Sequence, residues 1–126
     1  MESASMSVPG LPGSVSDARH FVADLCRDWG LGAVSDTATL LVSETVTNSI
    51  VHCRSEVELT LEFSPPTLRV GIADHDTTLP RQRPLGDEEE GGRGLALVDA
   101  LADSWGVEPA FDGKTVWFQL GSTSGR

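Results

Sequence analysis

Residues 35–54 are the stretch that most constrains how this chain folds. Apolar or small side chains recur along it at three- and four-residue steps, the spacing of one face of an α-helix. They are Leu41, Val42, Thr45, Val46, Ser49, Ile50 and Cys53. The pattern therefore predicts a long helix, capped by Ser35 or Asp36, that turns one stripe toward the core.

A second stripe of the same helix is polar along most of its length. Leu40, Glu44, Asn48 and His52 follow one another at four-residue steps, so they lie one above the other on a helix. We therefore expect Glu44 and Asn48 to project side by side from the edge of the buried face. Such a pair is either a solvated helix edge or part of a site, and this helix alone leaves both interpretations open.

The other periodic segments predict two more helices and a small sheet. Helical spacing covers residues 15–29 and 94–103. The predicted strands cover residues 56–63, 68–73, 105–109 and 115–120. This order of elements predicts an α+β fold, a two-layer sandwich with three helices on one face of a mixed, mainly antiparallel sheet.

A single domain over residues 14–121 is expected for a chain of 126 residues. Residues 1–13 are rich in Ser, Pro and Gly and predict a flexible lead-in, with a short edge strand near residues 7–8. Residues 75–92 combine two prolines and an acidic run with no periodicity, which predicts either a disordered loop or a functional lid. Residues 122–126 are expected to be a frayed tail.

The net charge of -10 limits the classes of partner. The 19 acidic against 9 basic residues disfavour direct binding to nucleic acid or to an anionic membrane, because both recruit basic surfaces. No segment reaches membrane-spanning length, and the first residues lack the basic start and apolar run of a signal peptide. Cys26 and Cys53 match no metal spacing and are expected to be reduced, partly buried thiols, so the sequence predicts a cytoplasmic protein.

Three side chains at predicted element edges suit nucleotide chemistry. Asn48 offers a neutral oxygen to Mg²⁺, which takes few protein ligands and completes its shell with phosphate and water. Glu44, one turn away, is placed to accept a proton from an attacking hydroxyl or water. Asp74, at the end of a predicted strand, is either a turn residue or an acceptor for an exocyclic amino group such as that of adenine.

The glycine-rich segment before the third helix is a further candidate. Gly91, Gly92 and Gly94 allow phosphates to approach the N–H groups at the helix start, although the same composition also suits a tight turn. The GKT sequence at residues 113–115 looks like the end of a P-loop. Glu108 stands where that motif needs glycine, and a strand follows instead of a helix, so we reject that interpretation.

Taken in order, these pieces resemble the Bergerat-fold ATPases, the superfamily of gyrase, histidine kinases and a heat-shock chaperone. SETVTNSIVH is similar to their N-box, VGIADHD to their Asp-x-Gly box, EGGRGLALV to their second glycine box and GKTVWF to their closing strand with a threonine. The resemblance covers about residues 15–120. The length and the string GGRGLALVDALADSWGV are more similar to one branch, the small, stand-alone anti-sigma factor serine kinase-like proteins of actinobacteria.

The resemblance implies ATP and Mg²⁺ as cofactors and gives three side chains a role. Glu44 is the general base, Asn48 the Mg²⁺ ligand and Asp74 the adenine anchor. The implied activity is that of a serine/threonine protein kinase acting on an anti-sigma factor antagonist. A sigma factor is implied as a further partner, and a homodimer is left open.

The glycine box and the closing strand receive roles in the same way. By resemblance, Gly92 and Gly94 contact the lid and the phosphates, and Thr115 contacts adenine through water. Arg93 either neutralises phosphate charge or pairs with the acidic run at residues 87–90.

Two alternatives to the kinase follow from the same residues. The first is a binding module of the same fold that holds a sigma factor or an antagonist, with ATP structural or absent. Asp76 bears on this alternative, because the Asp box of the family ends in Gly at that place, and an anionic side chain there either points outward or weakens ATP binding. The second is an isolated catalytic domain of a histidine kinase, which is disfavoured because no helical segment remains for a phospho-acceptor histidine.

Overall fold

The computed structural model describes residues 1–53, 55–75 and 92–121 of the chain, which form three α-helices and five strands. In chain order the elements are β1 (Glu2–Val8), α1 (Ser14–Asp28), a short 3₁₀ turn (Gly32–Val34), α2 (Ser35–Cys53), β2 (Val57–Ser64), β3 (Thr67–Asp74), α3 (Gly92–Leu101), β4 (Ser104–Ala110) and β5 (Gly113–Gly121). The predicted long helix is therefore present as α2, and it begins directly after the 3₁₀ turn.

The five strands form one sheet in the order β1-β2-β3-β5-β4. Every strand pairing among the described residues is antiparallel. Strands β3 and β5 are neighbours although α3 and β4 lie between them in the sequence, so β5 returns to the interior of the sheet and β4 takes its edge. In this register Asp74, the last residue of β3, lies opposite Lys114 near the start of β5.

The three described helices pack on one face of the sheet. Toward that face the strands present apolar side chains at every second position, and these side chains are buried in a single core with the helices. Its largest fully buried members are Phe118, Leu31, Leu41, Leu59, Leu61, Leu68, Ile72, Val22, Val42, Val46, Val57 and Val70. The prediction of a two-layer α+β sandwich is confirmed.

The N-terminal segment departs from the expected flexible lead-in. Glu2–Val8 is a seven-residue edge strand that pairs with β2 along its whole length. Met6 and Val8 lie opposite Leu59 and Val57, so they face the helices, while the alternating Ser5 and Ser7 are exposed. Alanine and serine are not among the residues enriched in strands, which is why the composition concealed this alternation.

The third helix and the segment before it also differ from the expectation. Helix α3 spans Gly92–Leu101, two residues earlier at each end than the periodicity predicts. The predicted lid at residues 75–92 lies almost entirely outside the described residues, as do Asp76 and the tail at residues 122–126. None of the described helices has both the length and the apolar character needed to cross a membrane.

The thiol of Cys26 belongs to the core between α1 and α2. It is a free cysteine with no exposed surface, so it is more deeply buried than the sequence predicted. Burial raises the pKa of the Cys26 thiol, and a hydrogen bond with Ser35 opposes part of that shift. The thiol therefore stays protonated at neutral pH and serves as a small apolar packing group.

Two phenylalanine substitutions test where the core lies. Phe118 on β5 is fully buried, whereas Phe111 in the turn before β5 is 98% exposed. Phe118→Ala is expected to lower the free energy of unfolding by about 3–5 kcal/mol, because it removes a large apolar side chain and leaves a cavity. Phe111→Ala, the matched control, should leave stability close to that of the parent. Urea denaturation followed by circular dichroism measures both, and equal losses in the two variants would contradict this assignment of the core.

Candidate functional site

Helix α2 carries Asn48 at the margin of the core. The side-chain oxygen Oδ1 of Asn48 is buried and has no hydrogen-bond partner among the described residues. A buried oxygen without a donor costs free energy, so a native protein retains one mainly where a further group satisfies it. A neutral amide oxygen of this kind is a suitable ligand for a hard cation such as Mg²⁺.

The rest of α2 holds Asn48 in this position. Leu41, Val42 and Val46 on the apolar stripe are fully buried, and the Thr45 hydroxyl donates to the Leu41 carbonyl oxygen at 2.7 Å. These contacts fix the rotation of the helix about its axis. The half-buried Glu44 therefore lies one turn before Asn48 on the same edge, as the four-residue spacing predicts.

Helix α2 also packs against the two elements that carry other predicted parts of the site. Helix α2 contacts both β3, which ends at Asp74, and α3, which begins at Gly92. The fold therefore packs the helix that carries Glu44 and Asn48 against the strand that ends at Asp74 and against the glycine-box helix. These elements are far apart in the sequence.

Asp74 is bound by the ammonium group of Lys114, a residue that the sequence pattern did not predict to be in the site. The Nζ atom of Lys114 donates to both carboxylate oxygens of Asp74, Oδ1 and Oδ2, at 3.1 Å each. The side chains are 1% exposed for Asp74 and 5% exposed for Lys114. A buried charge is tolerated only with a close partner of opposite charge, and here each side chain supplies that partner for the other.

The strand register explains why these two charges meet. Asp74 follows Leu68, Val70 and Ile72 on the helix-facing side of β3, and Lys114 lies directly opposite Asp74 on β5. The alternation of β5 puts Lys114 in phase with its buried residues Val116, Phe118 and Leu120. That phase is the signal in the sequence from which a buried role for Lys114 could have been predicted.

Gly113 lets β5 approach β3 closely beside this ion pair. A Cβ atom added to Gly113 would overlap the backbone carbonyl oxygen of Asp74. The ring atom Nδ1 of His75 also lies 3.3 Å from the carbonyl oxygen of Asp112. This contact links the residue after β3 to the residue before β5. The absence of a side chain at Gly113 is therefore a requirement of the close approach.

The first turn of α3 contains Gly92 and Gly94. The N–H groups of a first helical turn have no partner within the helix and carry the positive end of its dipole, so they favour an anionic ligand. The side chain of Arg93 and residue Gly91 lie outside the described part of the chain. Their predicted roles toward phosphate stay predictions.

Thr115 occupies the opposite face of the sheet from Asp74. It follows Lys114 in the strand, so the pleat turns its side chain toward the open face, where it lines a shallow groove with Thr60, Arg69 and Trp117. Its methyl group Cγ2 would lie 3.5 Å from a Cβ atom placed on Gly71. The structure therefore does not bring Thr115 together with the Asp74 carboxylate, which is contacted by its neighbour Lys114 instead, and the implied water-mediated contact of Thr115 with adenine stays a prediction.

Comparison with known protein families identifies the domain type of this arrangement. A family profile described as the histidine kinase-like ATPase domain matches residues 8–120. An uncharacterized protein of Streptomyces coelicolor is 41% identical over 81 residues, an alignment that covers 60% of this chain and 76% of the relative.

Solved structures have the same fold. The crystal structure of the RsbU and RsbW domains of Rv1364c from Mycobacterium tuberculosis matches 96% of this chain with a TM-score of 0.74 and 13% identity. The histidine kinase domain of a blue-light activated histidine kinase from Erythrobacter litoralis matches 74% of this chain with a TM-score of 0.57 and 24% identity. The matched parts cover 32% and 46% of those two chains, so the similarity concerns one domain and its fold.

The close approach at Gly113 yields a stability test of the site. Gly113→Ala is expected to lower the free energy of unfolding by about 2 kcal/mol or more, because the added methyl group meets backbone that cannot move aside as a side chain can. Gly32→Ala is the matched control, since a Cβ atom at Gly32 meets nothing within 4 Å. Thermal and urea denaturation measure both variants. A Gly113→Ala variant as stable as Gly32→Ala would show that β3 and β5 do not approach each other as described.

Proposed function

This chain belongs to the histidine kinase-like ATPase domain family, and we propose that it is a Mg²⁺-ATP-dependent serine/threonine protein kinase that acts on an anti-sigma factor antagonist. The observation that carries the proposal is the buried, unsatisfied oxygen of Asn48, one helical turn from Glu44. An unsatisfied acceptor beside a carboxylate is expected where a metal-bound phosphate group binds and a proton is removed.

The nucleotide would be held by groups from three elements. The Oδ1 atom of Asn48 would hold Mg²⁺, the N–H groups at the start of α3 from Gly92 onward would hold phosphate oxygens, and Asp74 would accept the exocyclic amino group of the base. When bound, ATP supplies the phosphoryl group and Mg²⁺ neutralises the charge that develops on its oxygens. The proposed Mg²⁺ site uses one amide ligand, the rest of the coordination shell being phosphate and water. Among the described residues, no group of three or more His, Cys, Asp or Glu side chains could hold a metal ion.

Glu44 has a separate role in this proposal. Its carboxylate accepts the proton of the attacking serine or threonine hydroxyl, which raises the nucleophilicity of that oxygen. The buried apolar stripe anchors the helix, so the backbone of Glu44 is held at a fixed place one turn from Asn48. The base acts on the substrate of the transfer, while Asn48 acts on the cofactor.

A protein is the proposed substrate and partner. The branch that the sequence resembles implies an anti-sigma factor antagonist, a sigma factor or both, and the RsbW domain among the structural neighbours is in keeping with such a partner. The net charge of -10 is unfavourable for a direct nucleic-acid complex. We therefore propose that any effect on transcription passes through a protein.

The contacts of Asp74 favour a second candidate function. Its carboxylate is already bound by Lys114, so the group proposed to read the base is not accessible in this structure. A protein that bound its sigma factor or antagonist with little or no nucleotide would need no accessible Asp74. The second candidate is therefore a non-catalytic partner-switching module of the same fold.

The variant Asn48→Ala tests the cation ligand. We expect it to weaken Mg²⁺-ATP binding roughly tenfold or more, because a group that contacts a charged ligand contributes about 1.5–3 kcal/mol. Isothermal titration calorimetry with ATP and Mg²⁺ measures the affinity. Thr47→Ala, the exposed neighbour on α2, is the control and should bind as the parent does. Equal affinities of Asn48→Ala and Thr47→Ala would remove Asn48 from the site.

The variant Glu44→Gln separates the kinase from the binding module. It should bind ATP about as tightly as the parent, but lose roughly 10²–10⁴-fold in the rate of phosphate transfer, because a positioned base acts chiefly in the transition state. The assay follows labelled phosphate from ATP to candidate antagonists. Glu58→Gln, on the opposite face of the sheet, is the control. Transfer by Glu44→Gln at the parent rate would exclude Glu44 as the base, and a parent that binds an antagonist without transfer would favour the binding module.

A further inference from the structure

The pair between Asp74 and Lys114 has a consequence for nucleotide affinity. We propose that Lys114 is an internal competitor for the base-binding carboxylate, so that an adenine nucleotide engages Asp74 only after the Lys114 ammonium group has left it. Lys114 would then determine both the affinity of the site and its preference for bases with an amino group. This inference rests on the proposed nucleotide site.

The geometry of the pair supports competition rather than joint binding. The ammonium group contacts both carboxylate oxygens at 3.1 Å, and only 1% of the Asp74 side chain is exposed. An exocyclic amino group needs direct access to one of these oxygens, since a hydrogen bond requires a donor–acceptor distance near 3 Å. With Lys114 in place, the Asp74 carboxylate presents almost no surface to an incoming amino group.

The surroundings of the pair limit how access could be gained. Asp74 cannot withdraw easily, because its backbone lies in the sheet against Gly113 and its carbonyl oxygen occupies the space of the missing Cβ atom. Lys114 has a long flexible side chain and lies near the start of β5, one residue from the preceding turn. The lysine side chain is therefore the part that moves.

The cost of this movement determines the apparent affinity. If the state with an accessible Asp74 has a fractional population f, the measured dissociation constant is the intrinsic one divided by f. A buried and fully paired carboxylate disfavours the accessible state, so f is small. Removal of the competing charge should therefore tighten binding, whereas a residue that simply contacts the ligand would weaken binding when removed.

The first experiment compares two charge-removing variants with two nucleotides. Lys114→Met keeps the length of the side chain and removes its charge, and Arg69→Met is the control, since Arg69 lies on the open face of the sheet against Trp117. Calorimetry should show ATP binding to Lys114→Met roughly tenfold tighter or more than to the parent. Inosine triphosphate, whose base has a carbonyl oxygen in place of the amino group, should show no such gain. Arg69→Met should bind both nucleotides as the parent does.

The second experiment needs no variant and decides the matter if Lys114→Met does not fold. Lys114 is the only lysine in the 126 residues, so protein labelled with ¹⁵N-lysine has a single side-chain ammonium signal in NMR spectra. Without nucleotide the buried pair should protect this signal from exchange with water. Saturation with Mg²⁺-ATP should shift the signal and abolish the protection as the ammonium group enters solvent.

The outcomes separate this inference from the proposed function. Tighter ATP binding by folded Lys114→Met, or loss of protection at Lys114 on ATP binding, supports the competitor. ATP binding that leaves the Lys114 signal unchanged, or that is weaker in Lys114→Met, overturns the competitor and leaves the nucleotide site intact. If neither the parent nor folded Lys114→Met binds ATP at millimolar concentration, the proposed function and this inference fail together.

Discussion

An ion pair at the end of an otherwise apolar sheet face is the interaction on which the candidate site depends. Asp74 and Lys114 occupy helix-facing positions of β3 and β5, where the positions before Asp74 and after Lys114 are apolar and buried. Burying either charge alone would cost several kcal/mol. The strand register avoids this cost because it keeps the two charges opposite each other. The same register brings Gly113 against the backbone of Asp74, which joins the sheet and the site at one point.

Helix α2 connects this pair with the chemistry proposed for the site. Its apolar stripe belongs to the core, and its polar edge carries Glu44 and the buried oxygen of Asn48. Because core packing fixes the rotation of the helix, the Cα–Cβ bonds of Glu44 and Asn48 point from the same edge of the buried face. Helix α2 also contacts β3, which ends at Asp74, and α3, which begins at Gly92, so the elements that carry the candidate site residues pack against one another.

The two faces of the sheet differ in character. The helix-covered face is apolar up to the ion pair, whereas the open face carries Thr115 and Trp117. On that open face the guanidinium carbon of Arg69 lies 4.2 Å from the centre of the Trp117 ring. The Nη2 atom of Arg69 lies 3.6 Å from a carboxylate oxygen of Glu108. A sheet with one packed and one solvated face is common in antiparallel architectures. Because neighbouring residues of a strand face opposite sides, Lys114 and Thr115 belong to different environments although they are adjacent in the chain.

The sequence by itself determined the three helices, the strands β2 to β5, the α+β class and the family, because helical and strand periodicity and the order of the boxes are local properties of the chain. The full length of β1 was not among them, because its serines and alanine concealed the alternation. The resemblance to Bergerat-fold ATPases is confirmed by the family profile over residues 8–120. The sequence also placed Glu44 and Asn48 on one edge of a helix, because residues four positions apart lie one above the other in any α-helix. The partner of Asp74 was decided only by the tertiary structure. Lys114 lies forty residues away, and it reaches Asp74 because β5 pairs with β3 in one particular register, which no local pattern in either strand specifies.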